Sequence, residues 1–389
     1  MHEILVITTL YPNSAQERHG IFVETRLRHL LATGEISATV VAPVPWVPFR
    51  SALFSGYEGY REIPSQTVRN GITVYHPRYV VIPKVGMLLT PFLMALSLWM
   101  CIRKLRQKGL SYDLVDGHYY YPDGVAIALL AKWLRKPYTV TARGTDINLI
   151  PEYKLPRKLI LWAADKAAAS ITVCKALKDE MISIGANPAK IHVLRNGVDL
   201  ELFRPLDRAA CKNDYQISAP TLLSVGHLID RKGHDLVIKA MSSLPECHLL
   251  IAGDGELEAT LKQLVKELGL EQRVRFLGAV NQQQLARIYN AVDIMVLASS
   301  REGWANVLLE SMACGTPVAA SSIWGTPEVV ATPESGFLFE QRTPEAIAST
   351  VTKLLNNYPD RKQTRAYAER FSWNDTIGGI QKLFRELTP

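Results

Sequence analysis

Short apolar runs recur along the whole chain and alternate with longer amphipathic stretches, such as residues 256–269 and 343–358. The runs predict β-strands at residues 3–8, 38–44, 71–76, 113–118, 138–143, 170–174, 191–197, 221–227, 248–254, 274–280, 293–299 and 316–321. The amphipathic stretches predict helices between most of these strands. Because strands that alternate with helices form parallel sheets covered on both faces, the pattern predicts an α/β protein with two doubly wound sheets in series.

The two sheets are expected to form separate domains, since 389 residues accommodate two domains of ordinary size. Gly, Pro and charged residues gather at residues 196–215, which is typical of a domain junction. We therefore predict a first domain over residues 1–204, a second over residues 205–371, and a C-terminal helix at residues 372–389 that packs back on the first. Ligands of doubly wound sheets bind beyond the carboxyl ends of the strands, so functional residues are expected in the loops that follow strands.

The cysteines are widely spaced and include no Cys-x-x-Cys pair: Cys101, Cys174, Cys211, Cys247 and Cys314. This pattern argues against a disulfide framework or a zinc ribbon and favours reduced thiols. The apolar run near the N-terminus contains an acidic residue and lacks a basic leader, so we interpret it as a first strand and not as a signal peptide. Both observations predict a cytoplasmic protein.

Positive charge is concentrated in the first half of the chain. Residues 1–200 contain 24 Lys and Arg against 15 Asp and Glu, whereas residues 201–389 contain 20 against 22. A basic half attracts an anionic partner, and nucleic acid, anionic lipid and a phosphorylated acceptor all qualify. Because no nucleic-acid-binding module is recognisable, we expect contact with an anionic membrane or a lipid-phosphate acceptor and no nucleic acid.

One uncharged segment, residues 85–102, is followed by a cluster of cations: Arg103, Lys104, Arg106 and Lys108. Its length is at the lower limit for a membrane-spanning helix, and a proline interrupts it. The favoured interpretation is a helix buried within the first domain. The second is a helix that lies in the membrane interface with its basic end on anionic headgroups, and a true span is the least favoured.

The strongest local signal is the segment REGWANVLLESMACGTPVAAS at residues 301–321. Glu302 falls in the loop after a predicted strand, and Glu310 falls about one turn into the following helix. Backbone N–H groups at the start of that helix can bind a diphosphate with the help of the helix dipole. Carboxylates accept hydrogen bonds from sugar and ribose hydroxyls. The alternative is that either glutamate merely caps the helix.

A second loop, GHLIDRKG at residues 226–233, places Arg231 and Lys232 after another predicted strand. These cations could neutralise the charge that develops on a leaving nucleoside diphosphate. An exposed Arg-Lys pair on a turn is the commoner role of such a dipeptide. The GDG sequence at residues 253–255 predicts a tight turn near a nucleotide.

Candidate residues also follow strands in the first half. Gly20 precedes a helix and would permit close backbone approach to a phosphate, or simply form a turn. His118 ends a predicted strand, where a histidine is more often structural than catalytic. Arg143 ends the next strand and could contact an acidic substrate or pair with Asp146. We interpret Glu24 as a surface or helix-pair carboxylate.

These segments together closely resemble the family-4 retaining glycosyltransferases. The resemblance rests on the Glu-x7-Glu motif of residues 302–310, on GHLIDRKGHDLVIKA at 226–240, on IAGDGELEATL at 251–261 and on HVLRNGVDLELFRP at 192–205. It covers essentially the whole chain, and the subgroup resembled makes bacterial cell-surface polysaccharides of the teichuronic-acid type. The family has the GT-B fold, so the resemblance implies two doubly wound Rossmann-like domains facing across a cleft.

The resemblance also implies the reaction and its residues. A sugar would pass, with retention of anomeric configuration, from a UDP- or GDP-sugar to a glycan or lipid-linked acceptor. The basic first half is the separate reason to expect this at the inner face of the cell membrane. Catalytic roles fall to His118, Glu302 and Lys232, and Arg143 and Asp146 lie on the acceptor side. The donor site comprises Gly20, His227, Arg231, Lys232, Gly253, Leu277, Asn306, Val307, Leu308 and Glu310.

Two positions depart from the family's pattern, since the family often has Arg where His227 stands and His where Arg143 stands. No metal is expected, because the chain contains no Asp-x-Asp motif, and no nicotinamide cofactor is expected, because no Gly-x-Gly-x-x-Gly follows the first predicted strand. Two alternatives stay open at this point. One is a nucleotide-sugar epimerase of the same fold, which converts the donor without an acceptor, and the other is a non-catalytic subunit that binds a sugar nucleotide.

Overall fold

A computed structural model describes residues 2–47, 52–82 and 86–388, with side chains omitted for residues 52–55. Residues 1, 85 and 389, which belong to predicted segments, lie outside the described residues. The chain divides into two compact units, Met1–Arg195 with Asp375–Pro389, and Asn196–Asn374. Each unit contains one large sheet and is described by itself.

The first unit is built on an eight-stranded sheet whose strand order is β10-β9-β8-β7-β1-β2-β5-β4. Every neighbouring pair is parallel except β4 and β5, and a separate two-stranded parallel sheet joins β3 to β6. The strands are β1 His2–Ile7, β2 Ile36–Val41, β3 Val44–Trp46, β4 Gln66–Arg69, β5 Ile72–Tyr75, β6 Arg78–Val80, β7 Leu114–His118, β8 Tyr138–Ala142, β9 Ala169–Thr172 and β10 Ile191–Val193.

Helices connect most of these parallel strands, as right-handed parallel crossovers require. They are α1 Ile21–Leu31, α2 Gly86–Gln107, α3 Val125–Leu134, α4 Thr145–Asn148, α5 Lys154–Lys166 and α6 Lys175–Ser183. Strands β7, β8 and β9 are buried along their whole length because helices cover both faces of the sheet. Two charged or titratable side chains, Asp116 and His118, lie within β7 and are buried.

Strands β3, β4 and β6 were not predicted from the sequence. They are three or four residues long and partly exposed, and strands this short give only a weak signal in the sequence. Asn70 and Gly71 connect β4 to β5 and both have positive φ, the conformation favoured in two-residue hairpin turns.

The second unit is built on a six-stranded sheet of order β13-β12-β11-β14-β15-β16, in which every pair is parallel. Its strands are β11 Thr221–Val225, β12 His248–Ala252, β13 Val274–Gly278, β14 Ile294–Leu297, β15 Val318–Ser321 and β16 Gly336–Phe339. Its helices are α7 Arg208–Asp214, α8 His234–Ala240, α9 Glu258–Glu267, α10 Gln282–Ala291, α11 Asn306–Ala313, α12 Thr326–Val329, α13 Pro344–Asn356 and α14 Arg361–Glu369.

One apolar core of the second unit lies between the sheet and the helices α8, α9 and α13. Leu249, Val296 and Ala319 point from the strands into the same cluster as Val237 and Ile347 from the helices. The helix predicted at residues 343–358 corresponds to α13. Its apolar residues recur at helical spacing, and they are the ones that pack into this core.

The last helix, α15 Trp373–Leu387, begins in the second unit and continues through the first. Leu383 packs with Ala169 and Ile171 of β9, and Phe384 is buried. Arg385 forms an ion pair with Glu35, which precedes β2. The C-terminal residues are therefore part of the hydrophobic core of the first unit.

Helix α2 is the one helix among the described residues whose length and apolar composition would suffice to cross a membrane. Only one face of it is buried, however, and the prediction of a buried helix holds for that face alone. Large apolar side chains are exposed on the other face: Met87, Leu88, Leu89, Phe92, Leu96 and Met100.

Candidate active site

The carboxyl edge of the second sheet gathers most of the residues predicted to bind a donor. His227, Arg231 and Lys232 follow β11, Glu302 follows β14, and Gly253 follows β12. Strands β12, β11 and β14 are neighbours in the sheet. The chain order reverses between β11 and β14, and this switch point is where doubly wound sheets bind ligands.

Lys232 and Glu302 form a tight ion pair across that switch point. The Lys232 Nζ donates to Glu302 Oε1 at 2.6 Å, and the Ser299 hydroxyl donates to the same oxygen at 2.7 Å. Arg231 Nη1 lies 3.8 Å from Glu302 Oε2. The Lys232 and Glu302 side chains are only 14% and 11% exposed, so the pair is largely removed from water.

The charge state of Glu302 follows from these contacts. Burial by itself raises the pKa of Glu302, but Lys232 and Arg231 more than compensate and hold that pKa below its usual range. Glu302 is therefore an ionised carboxylate at neutral pH and acts only as a hydrogen-bond acceptor.

Two glycines bring the loops of this edge close together. A Cβ at Gly233, where φ is +68°, would lie 2.3 Å from the carbonyl oxygen of Ala298 at the end of β14. A Cβ at Gly253 would lie 1.9 Å from the carbonyl oxygen of Gly226. Gly253 thus permits contact between two loops, which is a different reason for a glycine than the tight turn predicted from the sequence.

Helix α11 begins at Asn306, as predicted, and carries Glu310, whose side chain is half-buried. The Tyr289 hydroxyl donates to Glu310 Oε2 at 3.3 Å. Burial raises the pKa of Glu310 to about 7. The carboxyl group of Glu310 therefore changes its protonation near neutral pH, whereas Glu302 is ionised there.

Three further residues predicted to bind the donor lie on α11, and some of their polar groups are already hydrogen-bonded. The Leu308 N–H already donates to the Ala305 carbonyl at 3.1 Å, so this group is occupied within the first turn. The Asn306 Oδ1 accepts from Asn196 Nδ2 at 3.3 Å, and Val307 is half-buried.

Two other residues predicted to bind the donor lie elsewhere in the second unit. His227, after β11, is 75% exposed, and Leu277, on β13, is half-buried.

The first unit has a buried polar cluster at the end of β7. Asp116 Oδ2 accepts from Arg26 Nη2 at 3.0 Å, and Asp116 Oδ1 accepts from the Thr139 hydroxyl at 2.9 Å. Arg26 Nη1 also donates to the Thr141 hydroxyl at 2.8 Å. The cluster joins α1, β7 and β8, and it provides the setting of His118.

His118 uses both ring nitrogens within this cluster. Its Nε2 lies 3.3 Å from Asp116 Oδ2, and its Nδ1 lies 2.5 Å from Arg143 Nη2. Burial lowers the pKa of His118 to about 3, so the ring is neutral at physiological pH. Arg143 then donates to Nδ1, and Nε2–H donates to Asp116.

Comparison with protein families gives a direct result. The model described as Glycosyltransferase Family 4 matches residues 2–202, and the model described as Glycosyl transferases group 1 matches residues 211–371. The first match alone spans more than half of the chain.

The chain belongs to glycosyltransferase family 4.

Relatives and solved structures agree with this assignment. A D-inositol 3-phosphate glycosyltransferase of Corynebacterium urealyticum is 30% identical over 72% of this chain and 73% of its own. A Bacillus subtilis glycosyltransferase named for teichuronic acid biosynthesis is 27% identical over 90% of this chain and 88% of its own. The resemblance stated from the sequence is thus confirmed.

Sucrose-phosphate synthase from Thermosynechococcus elongatus has a TM-score of 0.82 at 19% identity, over 100% of this chain and 99% of its own. Anabaena HepE in complex with UDP-glucose has a TM-score of 0.73 at 20% identity, with 100% of both chains covered. These similarities confirm the fold prediction of a GT-B glycosyltransferase with two Rossmann-like domains.

In this family-4 enzyme, several residues predicted from the first half have positions that differ from the expectation. The Asp146 carboxylate is fully buried and accepts the backbone N–H groups of Tyr120, Arg143 and Gly144 at 2.8–3.0 Å. It holds two loops together, and the prediction of an acceptor contact does not fit this position.

Two further residues of the first half also have structural explanations. Glu24 is 3% exposed and accepts from Arg69 Nε at 2.7 Å, so its interpretation as a surface or helix-pair carboxylate is wrong. Gly20 has a φ of +69°, and a Cβ there would lie 2.2 Å from the carbonyl carbon of Leu10. The backbone packing of its own loop is sufficient reason for a glycine at that position.

Sequence reasoning missed Arg26 and Asp116, although an aspartate inside an apolar strand is a signal that something must neutralise it. Among the described residues, no group of three or more His, Cys, Asp or Glu side chains is arranged to hold a metal ion.

Proposed function

We propose that this glycosyltransferase moves a hexose from a nucleoside-diphosphate sugar, UDP- or GDP-linked, to a glycan or lipid-linked acceptor. The observation that carries the proposal is the shielded Lys232–Glu302 pair, with Arg231 beside it, at the switch point of the second sheet. It combines cations suited to a diphosphate with a carboxylate suited to sugar hydroxyls. The complex of Anabaena HepE with UDP-glucose supports this class of donor.

The roles of the three side chains follow from the charge that develops in the reaction. When the bond from the sugar's C1 to the phosphate oxygen breaks, negative charge accumulates on the leaving diphosphate. Lys232 and Arg231 stabilise that charge, and Glu302 accepts hydrogen bonds from the hydroxyls of the transferred sugar. A cation already held by a buried carboxylate is preorganised, so little reorganisation is needed when the donor binds.

Retention is proposed to result from attack on the same face that the diphosphate leaves. The new bond joins the acceptor oxygen to C1 while the old C1–O bond breaks. The proton of the acceptor hydroxyl passes to the departing phosphate oxygen, so no protein nucleophile is required. Glu310 binds the ribose hydroxyls of the donor, and no metal takes part in holding the diphosphate.

The biological setting is proposed to be cell-surface polysaccharide synthesis at the inner face of the cytoplasmic membrane. The relative named for teichuronic acid biosynthesis supports the pathway class. The exposed apolar face of α2 supports the location, because Arg103 and Lys104 follow it directly and are also exposed. Apolar side chains beside cations are what an anionic membrane surface attracts.

A transfer assay tests the reaction class. The protein is incubated with UDP- and GDP-hexoses and with glycan acceptors, and products are identified by mass spectrometry. The proposal expects an acceptor whose mass has increased by one hexose unit. A donor isomer of unchanged mass would indicate an epimerase, and binding of a donor without any turnover would indicate a non-catalytic subunit.

The site assignment is tested with Glu302→Gln and Lys232→Ala, which should each lower the turnover number by two or more orders of magnitude, in line with the loss of one transition-state contact. Glu258 and Lys262 provide a matched control, since they form an exposed ion pair of the same length, 2.6 Å, on α9. Glu258→Gln and Lys262→Ala should leave the rate unchanged. Near-normal rates in both site variants would contradict the assignment.

A further inference from the structure

A pocket of about 410 Å³ opens in the first unit, and none of the predicted site residues lines it. That volume lies within the range of about 300–1,000 Å³ that is usual for small-molecule sites. Its lining includes four tyrosines: Tyr57, Tyr60, Tyr79 and Tyr121. The pocket therefore has aromatic walls with phenolic hydroxyls.

The position of the pocket is the one that the topology of the sheet selects for a ligand. Thr9 and His19 follow β1, Pro43 follows β2, and Tyr121 follows β7. Strand β1 lies between β7 and β2, so the chain order reverses at this point. The pocket thus lies beyond the carboxyl ends of the strands, at the switch point of the first sheet. Its lining residue Tyr121 is three residues beyond His118 on the loop after β7.

The charge of the described lining favours one class of ligand over another. No Lys, Arg, Asp or Glu side chain is among the described residues that line the pocket. A diphosphate or a phosphorylated compound needs cations or a cluster of N–H donors. The pocket consequently fits an uncharged group, whereas the second unit supplies the cations for a diphosphate.

The polar groups of the lining favour a ligand with hydroxyl groups. The Thr9 hydroxyl donates to Asp123 Oδ2 at 2.9 Å, and the Thr90 hydroxyl donates to the Gly86 carbonyl at 2.6 Å. Each hydroxyl has thereby used its proton and keeps lone pairs that can accept from a ligand.

The tyrosines provide the apolar half of the recognition. The rings of Tyr57 and Tyr60 have centroids 6.5 Å apart, and Tyr57, Tyr60 and Tyr79 are each half-buried, so that part of each ring is accessible. The Tyr121 hydroxyl donates to the Met87 carbonyl and fixes the loop after β7 against α2. A pyranose ring has an apolar C–H face and a rim of hydroxyl donors, which matches aromatic rings beside oxygen acceptors.

We propose that this tyrosine-lined pocket binds a neutral sugar ring of the acceptor. The proposal rests on the transferase function stated above and replaces Arg143 and Asp146 as the centre of acceptor recognition. It assigns the acceptor to the carbohydrates and requires at least one of its sugars to be uncharged.

Binding of neutral methyl glycosides to the full-length protein tests the proposal. The probes are the methyl glycosides of glucose, galactose, mannose and N-acetylglucosamine, with inositol phosphate as a charged comparison, and binding is followed by saturation-transfer NMR titration. At least one neutral glycoside should bind more tightly than inositol phosphate. Tyr60→Ala should raise its dissociation constant at least tenfold, and Tyr60→Phe should raise it less, because the ring remains.

Tyr153→Ala is the matched control, since Tyr153 is 54% exposed and does not line the pocket. It should leave glycoside binding unchanged. If Tyr60→Ala does not fold, Thr90→Val is the second test variant. It keeps the size of the side chain and removes the hydroxyl, so it should weaken glycoside binding. The proposal is overturned if no neutral glycoside binds, if inositol phosphate binds more tightly, or if folded pocket variants bind like the wild type.

The effect of UDP or GDP on the melting temperature separates this proposal from the proposed function. Stabilisation by a nucleotide that persists in the Tyr60 variants shows that the second unit is intact. Glycoside binding without any response to a nucleotide would contradict the donor assignment and leave the pocket assignment standing.

Discussion

Glu302 and Glu310 show how two residues of one type acquire different chemistry from their neighbours. Glu302 has Lys232 and Arg231 within 4 Å and stays ionised, whereas the Glu310 carboxyl accepts a hydrogen bond from the phenolic hydroxyl of Tyr289. Burial then dominates at Glu310 and raises its pKa to about 7. Burial disfavours the charged form of both carboxyl groups, but neighbouring cations compensate for this cost only at Glu302.

Glu310→Gln should therefore change how stability depends on pH. The folded protein keeps a proton on Glu310 that the unfolded chain loses above its ordinary pKa of 4.5, so wild-type stability falls between about pH 4.5 and pH 7. Glutamine resembles the neutral acid and does not titrate. Across this pH range the free energy of unfolding of the variant should rise relative to that of the wild type, by roughly 3 kcal/mol at pH 8.

Scanning calorimetry at pH 5 and pH 8 measures this as the difference in melting temperature between variant and wild type. Glu258→Gln, at an exposed position on α9, is the control and should show little pH dependence of that difference. An offset for Glu310→Gln that is the same at both pH values would show that Glu310 does not titrate in the folded protein.

At the scale of single residues, the sequence predicts which side chains lie in loops that follow strands. It does not predict which residues those side chains contact in the folded protein. Lys232 and Glu302 were identified because each lies shortly after a buried strand of the second half. Arg26 and Asp116 were missed because their contact joins residues 90 positions apart. The burial of Asp146 likewise depends on three backbone N–H groups that converge only in the folded chain.

Among the elements, α2 is unusual because its exposed face is as apolar as its buried face. Leu89, Phe92, Leu96 and Met100 follow one another at intervals of three or four residues and are 46–53% exposed. Such spacing places them on one side of the helix. A contiguous apolar surface of this kind marks an interaction site, and the cations that follow it favour a membrane as the partner.

Replacing Phe92 and Leu96 together by Glu should weaken binding to vesicles. We expect the wild type to bind phosphatidylglycerol vesicles more tightly than phosphatidylcholine vesicles in a flotation assay, because Arg103 and Lys104 are attracted to anionic headgroups by about 1 kcal/mol each. The double variant should bind at least tenfold more weakly. Leu268→Glu, at a 39% exposed leucine of the second unit, is the control.

Equal binding of the wild type and the double variant, or no preference for the anionic lipid, would contradict membrane docking by α2.

The central strands that were predicted, such as β7, β8 and β14, are buried along their whole length, and their apolar runs are visible in the sequence. Strands β3, β4, β6 and β16 are short and partly exposed, so they were missed. The Asn70-Gly71 pair is a recognised hairpin signal, and it could have identified the β4–β5 hairpin before the structure was known.

For the molecule as a whole, the C-terminal helix makes the last residues of the chain part of the first unit. Phe384 is 1% exposed, and Phe384→Ala should cost about 3–5 kcal/mol through the cavity that it leaves. Because Phe384 belongs to the first unit, calorimetry should show a lower melting temperature for that unit.

Nucleotide binding should survive Phe384→Ala, because the donor residues lie in the second unit. Loss of the nucleotide response together with the loss of stability would show that the second unit does not bind the donor by itself.

The central claim is that a nucleoside diphosphate binds at the Lys232–Glu302 edge of the second unit, and ligand-induced thermal stabilisation tests it most directly. A ligand that binds only the folded state raises the melting temperature by mass action. UDP, GDP, ADP and TDP are compared on the wild type, on Lys232→Ala and on Lys262→Ala. The account predicts that UDP or GDP stabilises the wild type and Lys262→Ala and has little effect on Lys232→Ala. Stabilisation of Lys232→Ala equal to that of the wild type, or no stabilisation of the wild type by either nucleotide, would contradict it.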